Sequence, residues 1–212
     1  MSVQMRNVLR MSDGSYFDGN LSKDDAGSPL VRVHSDASYN AHREAGHQGG
    51  YVGMAFCVEL ADDASYDTIP VYAYATDKNP TNYSSTVAEL RGIVFALSRL
   101  DMHNIEIICD NTDAVNVANY IFHGGRAADF DVNDNLMREI VKLERFKHRN
   151  IVARWERGHG PNPYNAAVNR LARLARRIKE KDRDQVYVDF KIREMEREFV
   201  KMRSGNHVLV CT

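Results

Sequence analysis

The alternation of apolar and polar positions divides the chain into short strands followed by longer helices. Val31 and Val33 alternate with polar neighbours and lead into Asp36-Ala37-Ser38, which predicts a strand ending on polar residues. Gly49-Gly50 introduces an apolar, β-rich run over Tyr51–Leu60, and Pro70–Thr76 reads as a third short strand. The spacing predicts an antiparallel three-stranded meander. The tract Asp77–Tyr83 (DKNPTNY) is turn chemistry, after which Ser84 or Ser85 can cap a helix. That helix carries Val87, Leu90, Ile93, Val94 and Leu97 at helical spacing.

From there strands and helices alternate. Ile105–Cys109 is a buried-type strand, Asp113–Phe122 a helix, and Gly124-Gly125 a break before a helix over Asn133–Phe146. Ile151–Trp155 is a further strand, and a long helix begins near Pro163. A last helix, about Asp189–Met202, carries a stripe of Phe190, Ile192, Met195, Phe199 and Met202, expected to dock on the core or on a second copy. A meander followed by β-α units predicts an α/β (α+β) layer around a mixed sheet. Residues 1–28 are polar and read as a flexible lead-in, with a domain over 29–182 and a charged helical extension over 183–212.

At 212 residues, with 43% hydrophobic and 27% charged, the chain is long enough to bury a core. No run of about 18 apolar residues is present, so no membrane span is expected. The first residues lack the apolar stretch of a signal peptide. Cys57, Cys109 and Cys211 are few and widely spaced, as for reduced thiols of a cytoplasmic protein. The common nucleotide-binding loops and the HExxH zinc signature are absent. Net charge is −1, yet residues 1–169 carry 16 Lys and Arg against 22 Asp and Glu, and residues 170–212 carry 12 against 7. An acidic body with a basic end makes nucleic acid a candidate partner.

Three acids recur in comparable places. Asp36 closes the first strand, Asp110 closes Ile105–Cys109, and Glu89 lies one turn into the helix between them. A single aspartate after a strand is ordinarily a turn former or a cap, and Asp110-Asn111-Thr112-Asp113 could cap the next helix. Two acids at neighbouring strand ends with a third on the adjoining helix are harder to explain that way. Clustered like charges need a cation, and oxygen donors favour Mg²⁺ or Mn²⁺ over zinc. His159, in the loop Glu156-Arg157-Gly158-His159-Gly160-Pro161, is either a surface histidine or a proton-transfer group over such a site.

The order Asp-Ala-Ser, Gly-Gly-Tyr-Val-Gly-Met-Ala-Phe, Ala-Glu-Leu-Arg-Gly-Ile-Val-Phe-Ala-Leu, Cys-Asp-Asn and Gly-His-Gly-x-x-x-x-Asn resembles type 1 ribonuclease H over about residues 30–178. The resemblance implies a ribonuclease H-like fold with a five-stranded mixed sheet. It implies hydrolysis of the RNA strand of RNA–DNA hybrids with two Mg²⁺ or Mn²⁺ ions, leaving a 5′-phosphate and a 3′-hydroxyl. Asp36 then matches the aspartate that bridges both metals, Glu89 the helix glutamate, Asp110 the fourth-strand aspartate, and His159 the loop histidine of proton transfer and product release. Ser85 and Thr86 stand where the family often has asparagines that touch the hybrid.

Two departures stand out. The position of the family's fourth acid is Asn169, which keeps an oxygen ligand and loses a charge. The basic handle some members carry is also missing from His123–Asp134, which is mostly uncharged or acidic. Substrate contacts are therefore expected from the basic end, Arg170 and Arg173 first among a set running to Arg183. A monomer is expected. Two further readings remain open at this point: an impaired module that binds hybrid or RNA, and a nuclease of the same fold acting on another nucleic acid.

Overall fold

The computed structural model describes residues 3–7, 30–39, 50–59, 69, 71–78, 84–158 and 160–204. Six strands among these residues form one sheet: β1 (Val3–Asn7), β2 (Val31–Tyr39), β3 (Tyr51–Glu59), β4 (Val71–Lys78), β5 (Asn104–Cys109) and β6 (Asn150–Trp155). Their order is β1-β4-β3-β2-β5-β6. The β1, β4, β3 and β2 pairings are antiparallel, and β2-β5 and β5-β6 are parallel. The mixed sheet of five strands expected from the pattern is present as β2–β6. Val3–Asn7, expected within a flexible lead-in, instead pairs along β4 and adds an edge strand.

Among the described residues five α-helices flank the sheet: α1 (Ser85–Leu97), α2 (Thr112–Phe122), α3 (Asp134–Leu143), α4 (Pro163–Glu180) and α5 (Gln185–Arg203). Strand periodicity separates two cores. On β3, Met54, Phe56 and Val58 point to the layer of α1, α2 and α3, while Ala55 and Cys57 point to α4 and α5. Both faces are covered, which is why β3 is an unbroken apolar run rather than an alternating one. At Gly53 a side chain would overlap the Ala172 carbonyl, so this glycine lets α4 lie directly on the sheet.

Each helix start has a physical cause. Ser84, not Ser85, caps α1 by accepting from the Val87 N–H at 3.2 Å. Asn111 caps α2, Asn162 with Pro163 opens α4, and Asp184 caps α5. The helix expected over Asn133–Phe146 is regular only to Leu143 and tightens to a 3₁₀ turn at Glu144–Phe146. The last helix starts four residues before the expected Asp189. Its buried stripe is Val188, Ile192, Met195 and Phe199, whereas Phe190 faces solvent. Phe199 meets the Tyr164 ring edge-on at 5.0 Å, joining α5 to the α4 core. No helix among the described residues is long and apolar enough to cross a membrane.

Candidate active site

Register sets the site. The parallel β2-β5 ladder ends at the pair His34↔Ile108. Asp36, expected to close its strand, lies two residues further on inside β2, which runs on to Tyr39 because β3 still pairs with it, while Asp110 follows the last residue of β5. Cys109 still pairs with Trp155 on β6, and the Trp155 indole N–H donates to the Asp110 carbonyl at 3.0 Å. With Asn111 serving as the cap of α2, the competing role for Asp110 is already filled. Glu89 arrives from α1, which approaches β2 closely at Gly92, where a Cβ would sit 3.2 Å from the Asp36 carbonyl oxygen. Glu89 is three residues earlier, on that same helix face.

The cluster is buried and electrostatically costly. Asp36 and Glu89 are each only 6% exposed. Burial first, and then the charge of Asp110, pushes the Asp36 carboxyl up to about 7, against an ordinary 3.8. The Ala37 N–H and the charge of Arg173 pull it back. Glu89 is pushed well above its ordinary value by burial, then by Asp36 and Asp110. The Cys109 thiol, raised by burial and by Glu89, donates to Glu89 Oε2 at 3.6 Å. Glu89, Cys109 and Asp110 offer ligand atoms within 4.8 Å of one another.

Three carboxylates that oppose one another's ionisation fit a divalent cation held through oxygen. Cys109 was legible only as a buried thiol, and its place beneath Glu89 depends on the register of β5.

The remaining expected residues fall around this centre. Asn169 lies half-buried on α4, one turn before Arg173. Arg170 points along α4 to an ion pair with Glu198 of α5. Ser85 Oγ accepts from Asn111 Nδ2 at 3.4 Å, which ties the start of α1 to the start of α2, and Thr86 is half-buried beside it. His159 lies outside the described residues. Its neighbour Gly158 packs against the site: a Cβ there would overlap Asp110 Oδ2. Asn165, 8% exposed, holds that loop through the Arg157 carbonyl at 3.1 Å. His123–Asp134 forms a short 3₁₀ turn closed by Arg126 and Asp129, with no basic protrusion.

Next to the site, on the α4 face, His34 stacks on Tyr164 and hydrogen-bonds Glu59 at 2.9 Å. One row back, buried Glu106 accepts from Arg32 at 2.7 Å and pairs with Arg154. The Arg32 and Arg154 guanidiniums thus offset the charge of Glu106 behind Asp36.

No protein-family model matches the sequence, and no curated protein matches it. Solved structures do. The N-terminal RNase H domain of a Mycobacterium tuberculosis protein is 17% identical, with 73% of this chain and 99% of that one covered, at a TM-score of 0.51. A type 1 RNase H with the type 2 active-site motif, LC9-RNase H1, is 20% identical, with 72% and 74% covered, at a TM-score of 0.52. The chain has the ribonuclease H fold. Within that fold the matched share leaves about a quarter of this chain without a counterpart in the mycobacterial domain.

Proposed function

We propose that the protein is a metal-dependent nuclease that hydrolyses the RNA strand of RNA–DNA hybrids. The observation that carries this reading is the meeting of Asp36, Glu89 and Asp110, from three separate elements, at the parted end of the β2-β5 ladder. Burial and mutual repulsion raise both Asp36 and Glu89 there. Such a cluster costs stability unless it binds a cation, so its buried position favours a catalytic role over a structural one. The resemblance of the motif order to type 1 ribonuclease H and the ribonuclease H fold both support the reading.

Asp36, Glu89 and Asp110 would hold the ions, with the amide oxygen of Asn169 as a weaker neutral donor. When bound, two divalent ions would polarise the phosphate, activate water and stabilise the leaving oxygen. The chain's own part is to fix the donors. β2, where it outruns β5, positions Asp36, the end of β5 positions Asp110, and the Ala37 N–H steadies both Asp36 and Glu89. Gly158 leaves Asp110 room to turn inward. His159 is proposed to move a proton at the leaving group. Discrimination of RNA from DNA would rest on the 2′-hydroxyl and groove shape.

The test is incubation with labelled RNA–DNA hybrid, duplex RNA and duplex DNA in Mg²⁺ and, separately, Mn²⁺. Cleavage of the hybrid's RNA strand alone, abolished by Asp36→Asn, is expected. Binding of hybrid with no cleavage in either metal would overturn the proposal and favour a binding module. Preferential cleavage of duplex RNA would favour a nuclease of another specificity.

A further inference from the structure

The chain lacks a basic protrusion after α2, yet its positive charge is concentrated where α4 and α5 meet. Arg173 and Arg177 are four residues apart on α4, exposed, and on the same stripe as Asn169. They stand about 6 Å apart along the helix axis. The stripe therefore runs from the carboxylate centre, where Arg173 acts on Asp36, outward along the α4-α5 seam. A cleft of about 300 Å³ opens there, with Arg173 and Arg177 on one wall, Tyr187 and Lys191 on the other, and Leu174 and Met195 as its apolar floor.

Counter-charges in the cleft are unevenly spent. Glu198 is engaged by Arg170, and Glu194 by Lys191 at 2.6 Å. Among the described residues neither Arg173 nor Arg177 is in an ion pair. Arg183 lies over the Tyr187 ring at 4.7 Å, keeping a further cation at the mouth. Two adjacent cations over a narrow cleft form a poor protein core and a good seat for a row of anions.

We propose that the α4-α5 cleft is a phosphate-binding groove that grips the nucleic-acid backbone beside the catalytic centre, taking the place of a basic handle. α5 is then part of the substrate platform. The groove rests on the nucleic-acid reading above and deepens it. It also predicts a built-in restraint: Glu194 holds Lys191 out of service, so removing that carboxylate strengthens the grip.

Binding of a fluorescent RNA–DNA hybrid by anisotropy, in EDTA so that the strands stay intact, and over a salt series, tests this. Arg177→Glu is expected to weaken binding about tenfold and to make the log–log salt slope shallower by roughly 1, the share of one phosphate contact. Arg177→Lys should bind as the parent does. Glu194→Gln should bind roughly threefold tighter with a steeper slope, a gain that misfolding cannot produce.

Unchanged affinity and slope in Arg177→Glu, or equal damage from Arg177→Lys, would overturn the groove. If the parent never cleaves hybrid but these binding shifts appear, the groove stands and the nuclease reading fails. If it cleaves hybrid while Arg177→Glu binds normally, the groove alone fails.

Discussion

Asp110 is one position away from the residue that caps α2, and that offset frees it for the cluster with Asp36 and Glu89. Gly158 matters for the same reason from the other side, because any side chain there would meet the Asp110 carboxylate. Gly158→Ala should therefore cost about 1–3 kcal/mol and weaken Mn²⁺ binding, read by denaturation and by titration calorimetry. An unchanged Mn²⁺ affinity would show that the loop can give way without disturbing Asp110. Asn169→Asp carries the opposite expectation. A fourth carboxylate adds one negative charge on α4, so metal affinity should rise by at least about tenfold while the metal-free protein becomes less stable. The acids were expected from motif order, Asp36 and Asp110 after strand patterns and Glu89 one turn into an apolar-spaced helix. The Cys109 thiol under Glu89 was not, because its facing is fixed by pairing between β5 and β6 rather than by any local pattern.

At the level of elements, legibility followed the strength of periodicity. β3 and α1 announce themselves because their apolar runs meet a core: Phe56, Leu90 and Ile93 are all buried. β1 could not be read. Val3–Asn7 (VQMRN) is short and polar, and gains its strand form from the β4 edge it pairs with. α5 was half-legible. Its first turn holds Val186, exposed, and the cap Asp184, so the pattern begins only where burial does, at Val188. That helix is stabilised by docking rather than by propensity. Phe199→Ala removes a ring that is 2% exposed and packed edge-on against Tyr164. It should cost roughly 3–4 kcal/mol and lower Tm by about 6–16 °C. A small change in Tm would mean that α5 is only loosely seated. The same variant should also weaken hybrid binding if the helix walls the phosphate groove.

For the whole molecule, the buried carboxylates couple stability to pH and to metal. In the unfolded chain Asp36 ionises near 3.8, whereas in the folded protein its carboxyl holds its proton until about 7. Between those values the native state binds more protons than the unfolded one. By linkage, stability then falls as pH rises through that window and levels off above it. Glu89, raised in the same sense, adds to the fall. Glu59, lowered chiefly by its hydrogen bond to His34, acts in the opposite sense, its contribution present above its ordinary 4.5 and lost on acidification. The two effects together predict a stability maximum of the metal-free protein in mildly acidic solution.

Denaturation in EDTA should show a loss on the order of 2–4 kcal/mol between about pH 5 and pH 8. Asp36→Asn should make that slope shallower by the share of Asp36, because the amide carries no charge to bury, and leave the share of Glu89, whose own burial raises it most. Millimolar Mg²⁺ should reverse it, since the cation binds only the ionised cluster and adds stability in proportion to the logarithm of its concentration. A metal-free protein equally stable at both pH values would mean that the three carboxylates are better solvated than their burial implies, and the case for a cation-demanding centre would fall with it.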